Sequence, residues 1–209
     1  MGPAQRAGVR KYMHTGYIFP LRSRKTPTTI GGKAEKLRVL IRHGFRVPAT
    51  YVCTWDAHAR YRAGAPELTG RLREELGSKL DPDRVYAVRS SANLEDGSES
   101  SFAGQFRSVL GVQGIDKIVT AMQEIWAATD GPGVTSYLER NAIEPGGVKM
   151  AIIIQEMVQP FMSGVSFSKN PLTGMDEIIV EAVHGSGEAL VQEGTTPMRW
   201  INKWGTWIT

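Results

Sequence analysis

The fold and the chemistry of this chain depend most on residues 85–112, which read VYAVRSSANLEDGSESSFAGQFRSVLGV. Two short β-rich runs, Val85–Arg89 and Phe106–Val112, enclose the polar stretch Ser90–Gln105, which holds five serines and two glycines. Small residues let backbone N–H groups approach an anion, serine hydroxyls add donors, and an arginine can bind phosphate through two hydrogen bonds. With Arg89 at its entrance, the stretch has the composition of a phosphate-binding loop.

The middle of the polar stretch carries three acidic residues, Glu95, Asp96 and Glu99. Acidic and small polar side chains are also typical of turns that stay in solvent. A solvated, mobile hairpin loop therefore explains the composition as well as a phosphate loop does, and the residues alone leave both interpretations open.

A glycine pair, Gly31-Gly32, precedes Lys33 at the point where helical periodicity begins. A lysine behind glycines at a helix N-terminus can contact phosphate. The segment is not a P-loop, because Pro27 occupies the leading glycine position and Ala34 replaces the Ser or Thr. By itself the pattern fits better with a flexible helix entry and a solvated lysine.

The segment Gly185–Leu190 contains half of a dinucleotide-binding fingerprint. Leu190 stands where the third glycine or alanine belongs, and this position needs a small residue for close packing of helix on strand. A Rossmann-type site is therefore disfavoured.

The apolar run Ala151–Ile154 continues into the more polar residues Gln155 and Glu156 and then into Met157 and Val158. A buried strand that emerges in this way can hydrogen-bond the edge of a purine through its exposed backbone, while Met157 and Val158 pack against the ring. An ordinary core strand is the safer interpretation of the run by itself.

Length and composition limit the class of protein. The chain has 209 residues, of which 41% are apolar, enough for a substantial core. It contains no apolar run near the roughly 18–20 residues that span a bilayer, and no secretory signal at its N-terminus. The single cysteine, Cys53, fits a reducing compartment. These features predict a soluble, cytoplasmic protein without a membrane partner.

The net charge of +4 is unevenly distributed. Residues 1–34 hold seven basic residues and no acidic one, whereas the remainder holds 18 basic against 21 acidic residues. A basic N-terminal arm could contact RNA or an acidic surface, and it also has the composition of a transit peptide. We favour a solvated arm, and no nucleic-acid partner is expected.

Histidine and cysteine give little support for other chemistry. The four histidines, His14, His43, His58 and His184, form no spaced cluster, so a histidine metal centre has no basis. Cys53 lies in an apolar strand, where an inert buried thiol is favoured over a nucleophile. No metal site is predicted within this chain.

Hydrophobic periodicity predicts a mixture of helices and strands, followed by a strand-rich region. Helices are predicted over residues 32–44, 55–63, 67–77, 115–126 and 134–141. Strands are predicted over residues 47–53, 85–89, 106–112, 149–158, 163–168 and 177–183, with short pieces near Leu190, Trp200 and Trp207. This order is typical of an α+β fold with two lobes.

The predicted organisation has three parts. Residues 1–29 form an irregular basic arm. Residues 30–146 form a first lobe, in which residues 89–108 are the loop over the phosphates, and residues 147–209 form a strand-rich second lobe that is incomplete at its C-terminus. Apolar strands near the last residue, without a closing turn, motivate the expectation of an incomplete lobe.

Several of these segments follow one another in a specific order and spacing. They are Gly31-Gly32-Lys33-Ala34 with Leu37, Val47-Pro48, Val88 to Ala92, Glu95-Asp96, Ser101 to Gln105, Gln155 to Val158, Ser163 to Val165, Asn170-Pro171 and Gly185 to Glu188. Together they resemble the nucleotide-binding domain of the phosphoenolpyruvate synthase and pyruvate phosphate dikinase family. The resemblance covers roughly residues 30 to 200.

The resemblance implies an ATP-grasp-like fold, in which two lobes hold ATP between them and a Gly/Ser loop closes over its phosphates. Matched motif to motif, Lys33 and Arg89 are expected to contact phosphates. Ser101, Gly104 and Ser108 are expected on the hairpin that covers them. These assignments favour the phosphate-loop interpretation of residues 90–105.

The same resemblance places Gln155 beside the adenine, with backbone contacts from Glu156, Met157 and Val158. It also implies Mg²⁺ as a cofactor beside ATP. The family segment that carries the metal-binding Glu and Gln, near an Asp-Ile-Glu-Trp-like motif, has no match in this sequence. The metal ligands are therefore expected outside this chain.

The family's reaction, as the resemblance implies it, passes the β-phosphoryl group of ATP to a histidine on a separate swivelling domain and from there to the substrate. None of the four histidines stands in that context, so the expected partners are phosphohistidine and pyruvate-binding domains, and the chain alone is expected to be inactive. Pyruvate is the favoured acceptor. A rifampicin phosphotransferase-like enzyme and a non-catalytic nucleotide-binding module are the alternatives.

Overall fold

The computed structural model describes residues 16–93, 108–131, 138, 147–190 and 196–208. Their helices are α1 (Gly31–Arg42), α2 (Trp55–Arg62), α3 (Leu68–Gly77) and α4 (Ile115–Ala127). Their strands are β1 (Ile18–Pro20), β2 (Thr50–Cys53), β3 (Val85–Ala92), β4 (Ser108–Gln113), β5 (Met150–Glu156), β6 (Met162–Phe167), β7 (Ile178–His184), β8 (Met198–Lys203) and β9 (Thr206–Ile208). The predicted α+β class is confirmed.

The chain divides into two compact units, residues 1–157 and residues 158–209. The first unit holds a five-stranded antiparallel sheet in the order β1-β2-β5-β3-β4. Strand β5 pairs with β2 on one side and β3 on the other, so it lies in the centre of this sheet. This pairing puts the division after Met157, whereas the sequence pattern predicts a boundary at Gly146.

The first sheet is covered on both faces, and each face has its own apolar core. On one face, α2, α3 and α4 pack on alternate residues of the strands, among them Val88, Ile152 and Ile154. On the other face, α1 packs on Val52 and Ile153. A strand that is buried on both faces reads as an unbroken apolar run, which is the pattern of residues 151–154.

Helix α1 forms because apolar residues recur on one side of it. Ala34, Leu37 and Ile41 face the core that it shares with the sheet. The helix ends at Arg42 and is followed by Gly44, whose φ of +82° suits glycine. The N–H of Phe45 closes the last turn on the carbonyl of Leu40 at 3.0 Å. The predicted helix with a glycine past its end is confirmed.

Three predicted elements differ from the structure. Residues 90–92, predicted as the start of the polar loop, are buried and belong to β3, because they pair with β5. The lead-in of residues 1–29 contains β1, because Ile18 is buried and pairs with Cys53, which gives this segment the ladder partner that its Gly and Pro content does not suggest. Leu190 belongs to a 3₁₀ turn, Gly187–Leu190, and not to a strand. The predicted helix over residues 134–141 lies outside the described residues except for Leu138.

The second unit contains a four-stranded antiparallel sheet in the order β6-β7-β8-β9. The loop before β7 is organised by Asn170, whose Oδ1 accepts the N–H groups of Leu172 and Thr173 at 2.9 and 3.1 Å. Its Nδ2 donates to Glu177 at 2.8 Å, and Lys203 lies 2.7 Å from the same carboxylate. These two partners lower the pKa of Glu177, Asn170 contributing first.

Candidate nucleotide-binding site

The start of α1 lies directly against β3. The hydroxyl oxygen of Ser91 accepts the backbone N–H of Ala34 at 3.1 Å in a buried position. Gly31 has a φ of +75°, and a Cβ at this residue would lie 2.1 Å from the Ser91 carbonyl oxygen. Only glycine permits this approach. The exposed residue Lys33 follows in the first turn of the helix.

Arg89 lies on the same strand and the same face as Ser91, since side chains two residues apart share a face. It stands opposite Ser108 on β4 and opposite Ile153 on β5. The Arg89 side chain is exposed, and among the described residues no carboxylate forms an ion pair with it. A guanidinium in this setting can bind a phosphate.

Gln155 lies on this face of the sheet as well, opposite Ala87 on β3 and Thr50 on β2. Its side chain is half-buried, and its Nε2 donates to the Thr50 hydroxyl at 2.9 Å. The Thr50 hydroxyl in turn donates to the carbonyl of Pro48 at 2.7 Å. The amide of Gln155 is therefore held by side-chain contacts within the sheet.

Two backbone N–H groups that follow Gln155 are hydrogen-bonded to neighbouring strand segments. The N–H of Glu156 donates to the carbonyl of Ala49 and that of Met157 to the carbonyl of Val85, both at 2.8 Å. The Glu156 carboxylate lies 3.1 Å from Arg84, on the face opposite to Gln155. Met157 is 38% exposed and Val158 60% exposed.

The structure thus brings four predicted residues to one face of the first sheet or to its border. Lys33 lies at the start of the helix on this face, Arg89 and Ser108 face each other on neighbouring strands, and Gln155 lies on the central strand. The other two predicted residues of the phosphate-covering hairpin, Ser101 and Gly104, lie outside the described residues.

Two side chains in this region were not assigned a role from the sequence. Ser91 belongs to the matched motif, but its bond to Ala34 joins residues 57 positions apart. Thr50 and Gln155 are 105 positions apart, and a threonine at the start of a strand carries no signal of such a contact. Only the assembled sheet reveals these pairs.

In the part of the chain that the structure describes, no group of three His, Cys, Asp or Glu side chains lies close enough together to bind a metal ion. The carboxylate of Glu156, the acidic residue next to Gln155, lies on the other face of the sheet and pairs with Arg84. These residues do not fit a Mg²⁺ site.

The buried titratable groups of the first core lie apart from this site. Burial, with the carboxylates of Glu75 and Asp56 as further causes, raises the pKa of the Cys53 thiol well above its usual value. This suits an inert thiol.

Across the described residues, no helix has the length and apolar content required to cross a membrane.

The fold and this face are consistent with a nucleotide-binding domain: an antiparallel sheet with helices on both faces, a helix N-terminus beside a lysine, and an exposed arginine. The family model described as "Pyruvate phosphate dikinase, AMP/ATP-binding domain" matches residues 67–203. The chain belongs to this family, as an N-terminal ATP-binding domain.

Curated relatives carry related names. The chain is 38% identical over 136 residues to a probable phosphoenolpyruvate synthase of Pyrococcus horikoshii, which covers 64% of this chain and 17% of the relative. It is 34% identical over 209 residues to a rifampicin phosphotransferase of Streptomyces sviceus, covering 80% and 24%. A phosphoenolpyruvate synthase of Aeropyrum pernix is 30% identical over 217 residues, covering 82% and 26%. The chain therefore spans about a quarter or less of the length of these relatives.

Proposed function

We propose that this chain is the ATP-binding part of a phosphoenolpyruvate synthase-like dikinase with an ATP-grasp-like fold. In this proposal the β-phosphoryl group of ATP passes to a histidine on a separate domain and then to pyruvate. The γ-phosphoryl group passes to water and leaves as inorganic phosphate, and AMP remains. The histidine-bearing and pyruvate-binding domains are the partners, and the reaction takes place in the cytoplasm.

The observation that carries the proposal is the contact between the start of α1 and β3. The bond from Ala34 to Ser91 and the close approach at Gly31 fix the helix N-terminus against the strand that carries Arg89. Backbone N–H groups of a first helical turn, a lysine and an arginine can neutralise a polyphosphate together. Most of the catalysis of phosphoryl transfer comes from such positioning and charge neutralisation.

In this arrangement the phosphates of ATP lie near Lys33 and Arg89. Ser101 and Gly104, on the segment that joins β3 to β4, and Ser108, at the start of β4, are proposed to cover them. The adenine lies by Gln155. The N–H groups of Glu156 and Met157 are donated within the sheet. The base edge would therefore meet carbonyl oxygens of this stretch and the N–H of Val158.

Mg²⁺ would neutralise the polyphosphate when bound, as it does in phosphoryl transfer generally. Since the described residues of this face do not fit a metal site, we assign the metal ligands to residues outside this set. The roles of Lys33 and Arg89 are to bind and orient the phosphates, and both roles can be measured by nucleotide binding.

The binding experiment compares three forms of the chain by titration calorimetry with MgATP: the wild type, Arg89→Ala and a matched control, Arg73→Ala. Arg73 is an exposed arginine on α3 that pairs with Asp116 at 2.6 Å. Arg89→Ala should weaken ATP binding about 10- to 100-fold, the usual value of hydrogen bonds to a charged group, and leave adenosine binding unchanged. Equal ATP affinity in wild type and Arg89→Ala would contradict the site.

A rifampicin phosphotransferase-like enzyme is the second candidate, because the relative from Streptomyces sviceus that carries this name is 34% identical over 80% of this chain. The phosphoryl acceptor can be identified with the full-length protein that the gene encodes. Incubation with MgATP and either pyruvate or rifampicin, followed by ³¹P NMR, should give phosphoenolpyruvate and AMP from pyruvate. Phosphorylated rifampicin would select the second candidate, and ATP binding without any transfer would indicate a non-catalytic module.

A further inference from the structure

We propose that Thr50 is a positioning residue that fixes the orientation of the Gln155 amide and thereby makes the base site select adenine over 6-oxopurines. The proposal rests on the proposed function, because it takes the half-buried Gln155 as the residue beside the base. Its own support is a chain of two side-chain hydrogen bonds within the first sheet.

The direction of the chain follows from counting hydrogens. A threonine hydroxyl has one hydrogen, and the Thr50 hydroxyl donates it to the carbonyl of Pro48 at 2.7 Å, since a carbonyl can only accept. Toward Gln155 the same oxygen can therefore only accept. The group of Gln155 that faces it at 2.9 Å must then be the donor Nε2, which agrees with the assigned orientation of the amide.

Once Nε2 is engaged with Thr50, the carbonyl oxygen Oε1 occupies the other arm of the amide. An acceptor at this place fits the exocyclic amine of adenine, which is a donor. It does not fit the 6-oxo group of hypoxanthine or guanine, because two acceptors would face each other. Turning the amide over would bring Oε1 against the Thr50 oxygen, and relief of that contact would break the bond to Pro48.

Burial makes this arrangement persistent. Thr50 is 5% exposed, so its hydroxyl has little access to water that could substitute for either bond. Its strand pairs directly with β5, where Thr50 stands opposite Gln155, and the two residues share a face of the sheet. The cost of the wrong orientation is therefore about one hydrogen bond, which corresponds to a preference of about fivefold to tenfold.

The test measures the dissociation constants of ATP and ITP for the whole chain by calorimetry. The two bases differ at C6, amine against oxo, and at N1, which is an acceptor in adenine and carries a hydrogen in hypoxanthine, so the change of the ratio in Thr50→Val isolates the contribution of Gln155. Wild type should bind ATP about fivefold to tenfold more tightly than ITP. Thr50→Val keeps the shape but removes the hydroxyl, so Gln155 can turn over and the ratio should fall toward one. Thr50→Ser keeps the hydroxyl and should keep the wild-type ratio.

Each result decides the proposal. A general loss of stability would lower both affinities by the same factor, so an unchanged ratio in Thr50→Val assigns Thr50 a structural role only and overturns the proposal. Equal binding of ATP and ITP by wild type overturns the selection but leaves the ATP site intact, whereas no binding of either nucleotide overturns the proposed function as well. Should Thr50→Val fail to fold, Thr50→Ala and the wild-type ratio decide in the same way.

Discussion

His58 has a hydrogen-bond partner on each ring nitrogen within the first core. Its Nδ1 accepts the backbone N–H of Met150 at 3.3 Å, so Nε2 carries the hydrogen of the neutral ring and donates to the Thr129 hydroxyl, also at 3.3 Å. That hydroxyl donates to the carbonyl of Trp126 at 2.6 Å. These hydrogen bonds require the neutral imidazole, because Nδ1 acts as an acceptor. Burial, followed by the charge of Arg62, lowers the pKa of His58 to about 4.

This lowered pKa predicts a loss of stability in mild acid. The unfolded chain takes up a proton on His58 near its ordinary pKa of about 6.5, whereas the folded chain does so only near 4. The unfolded state therefore binds more protons between these values, and stability falls as the pH drops from about 6.5 to 4. The loss should reach about 2–3 kcal/mol.

Urea unfolding of the wild type and of His58→Asn over this pH range checks the prediction. Asparagine keeps an acceptor near the Met150 N–H but has no group that titrates there. The variant should be less stable at pH 7 and have a flatter pH dependence. The same pH dependence in both proteins would show that other groups cause it.

At the scale of elements, the contact of α1 with β3 depends on Gly31. An alanine there would need a φ of +75° and would put its Cβ 2.1 Å from the Ser91 carbonyl oxygen, so helix and strand would have to separate. We expect Gly31→Ala to destabilise the first unit by more than about 2 kcal/mol, the range of backbone strain and overpacking.

The matched control for this substitution is Gly77→Ala at the end of α3. A Cβ at Gly77 meets no atom within 4 Å, and alanine favours the helix. Gly77→Ala should leave the free energy of unfolding unchanged or raise it slightly in the same urea titration. Equal effects of both substitutions would mean that the contact at Ser91 does not hold the helix.

The sequence predicts those parts of the fold that depend on local patterns. The apolar face of α1, its glycine stop at Gly44 and the unbroken apolar run of β5 follow from periodicity and turn chemistry. Strand β1 does not, because Ile18 is stabilised by pairing with Cys53, and neither does the membership of β5 in the first unit. Strand pairing between distant segments leaves no local pattern.

The candidate site likewise contains residues that the sequence predicts and residues that it does not. Lys33, Arg89 and Gln155 stand in motifs of recognisable order, and the structure brings them to one face or its border. Ser91 and Thr50 support that face through hydrogen bonds to Ala34 and Gln155, across a helix–strand and a strand–strand contact. Supporting residues of this kind can be found only after the chain is folded.

At the scale of the whole molecule, the uneven charge predicts that any contact of this chain with nucleic acid is weak and sensitive to salt. Residues 1–34 contain seven basic residues and no acidic one, while the rest of the chain has 18 basic and 21 acidic residues. Binding by such an arm is driven by release of counterions and falls steeply with salt. The N–H groups of Tyr17 and Ile18 donate to Glu75, and Ile18 begins β1, so the deletion is limited to residues 1–15.

The test is fluorescence anisotropy of a labelled 20-mer RNA at 50 and 200 mM salt. Two variants accompany the wild type: deletion of residues 1–15, and the double substitution of the exposed Arg24 and Lys25 by glutamine. Any binding at 50 mM salt should be lost at 200 mM and be weakened in both variants, while their ATP affinity stays unchanged because Lys33 and Arg89 remain. RNA binding that persists at 200 mM salt, or that is as strong in both variants as in the wild type, would place a nucleic-acid surface outside this basic segment and reverse the expectation of a solvated arm.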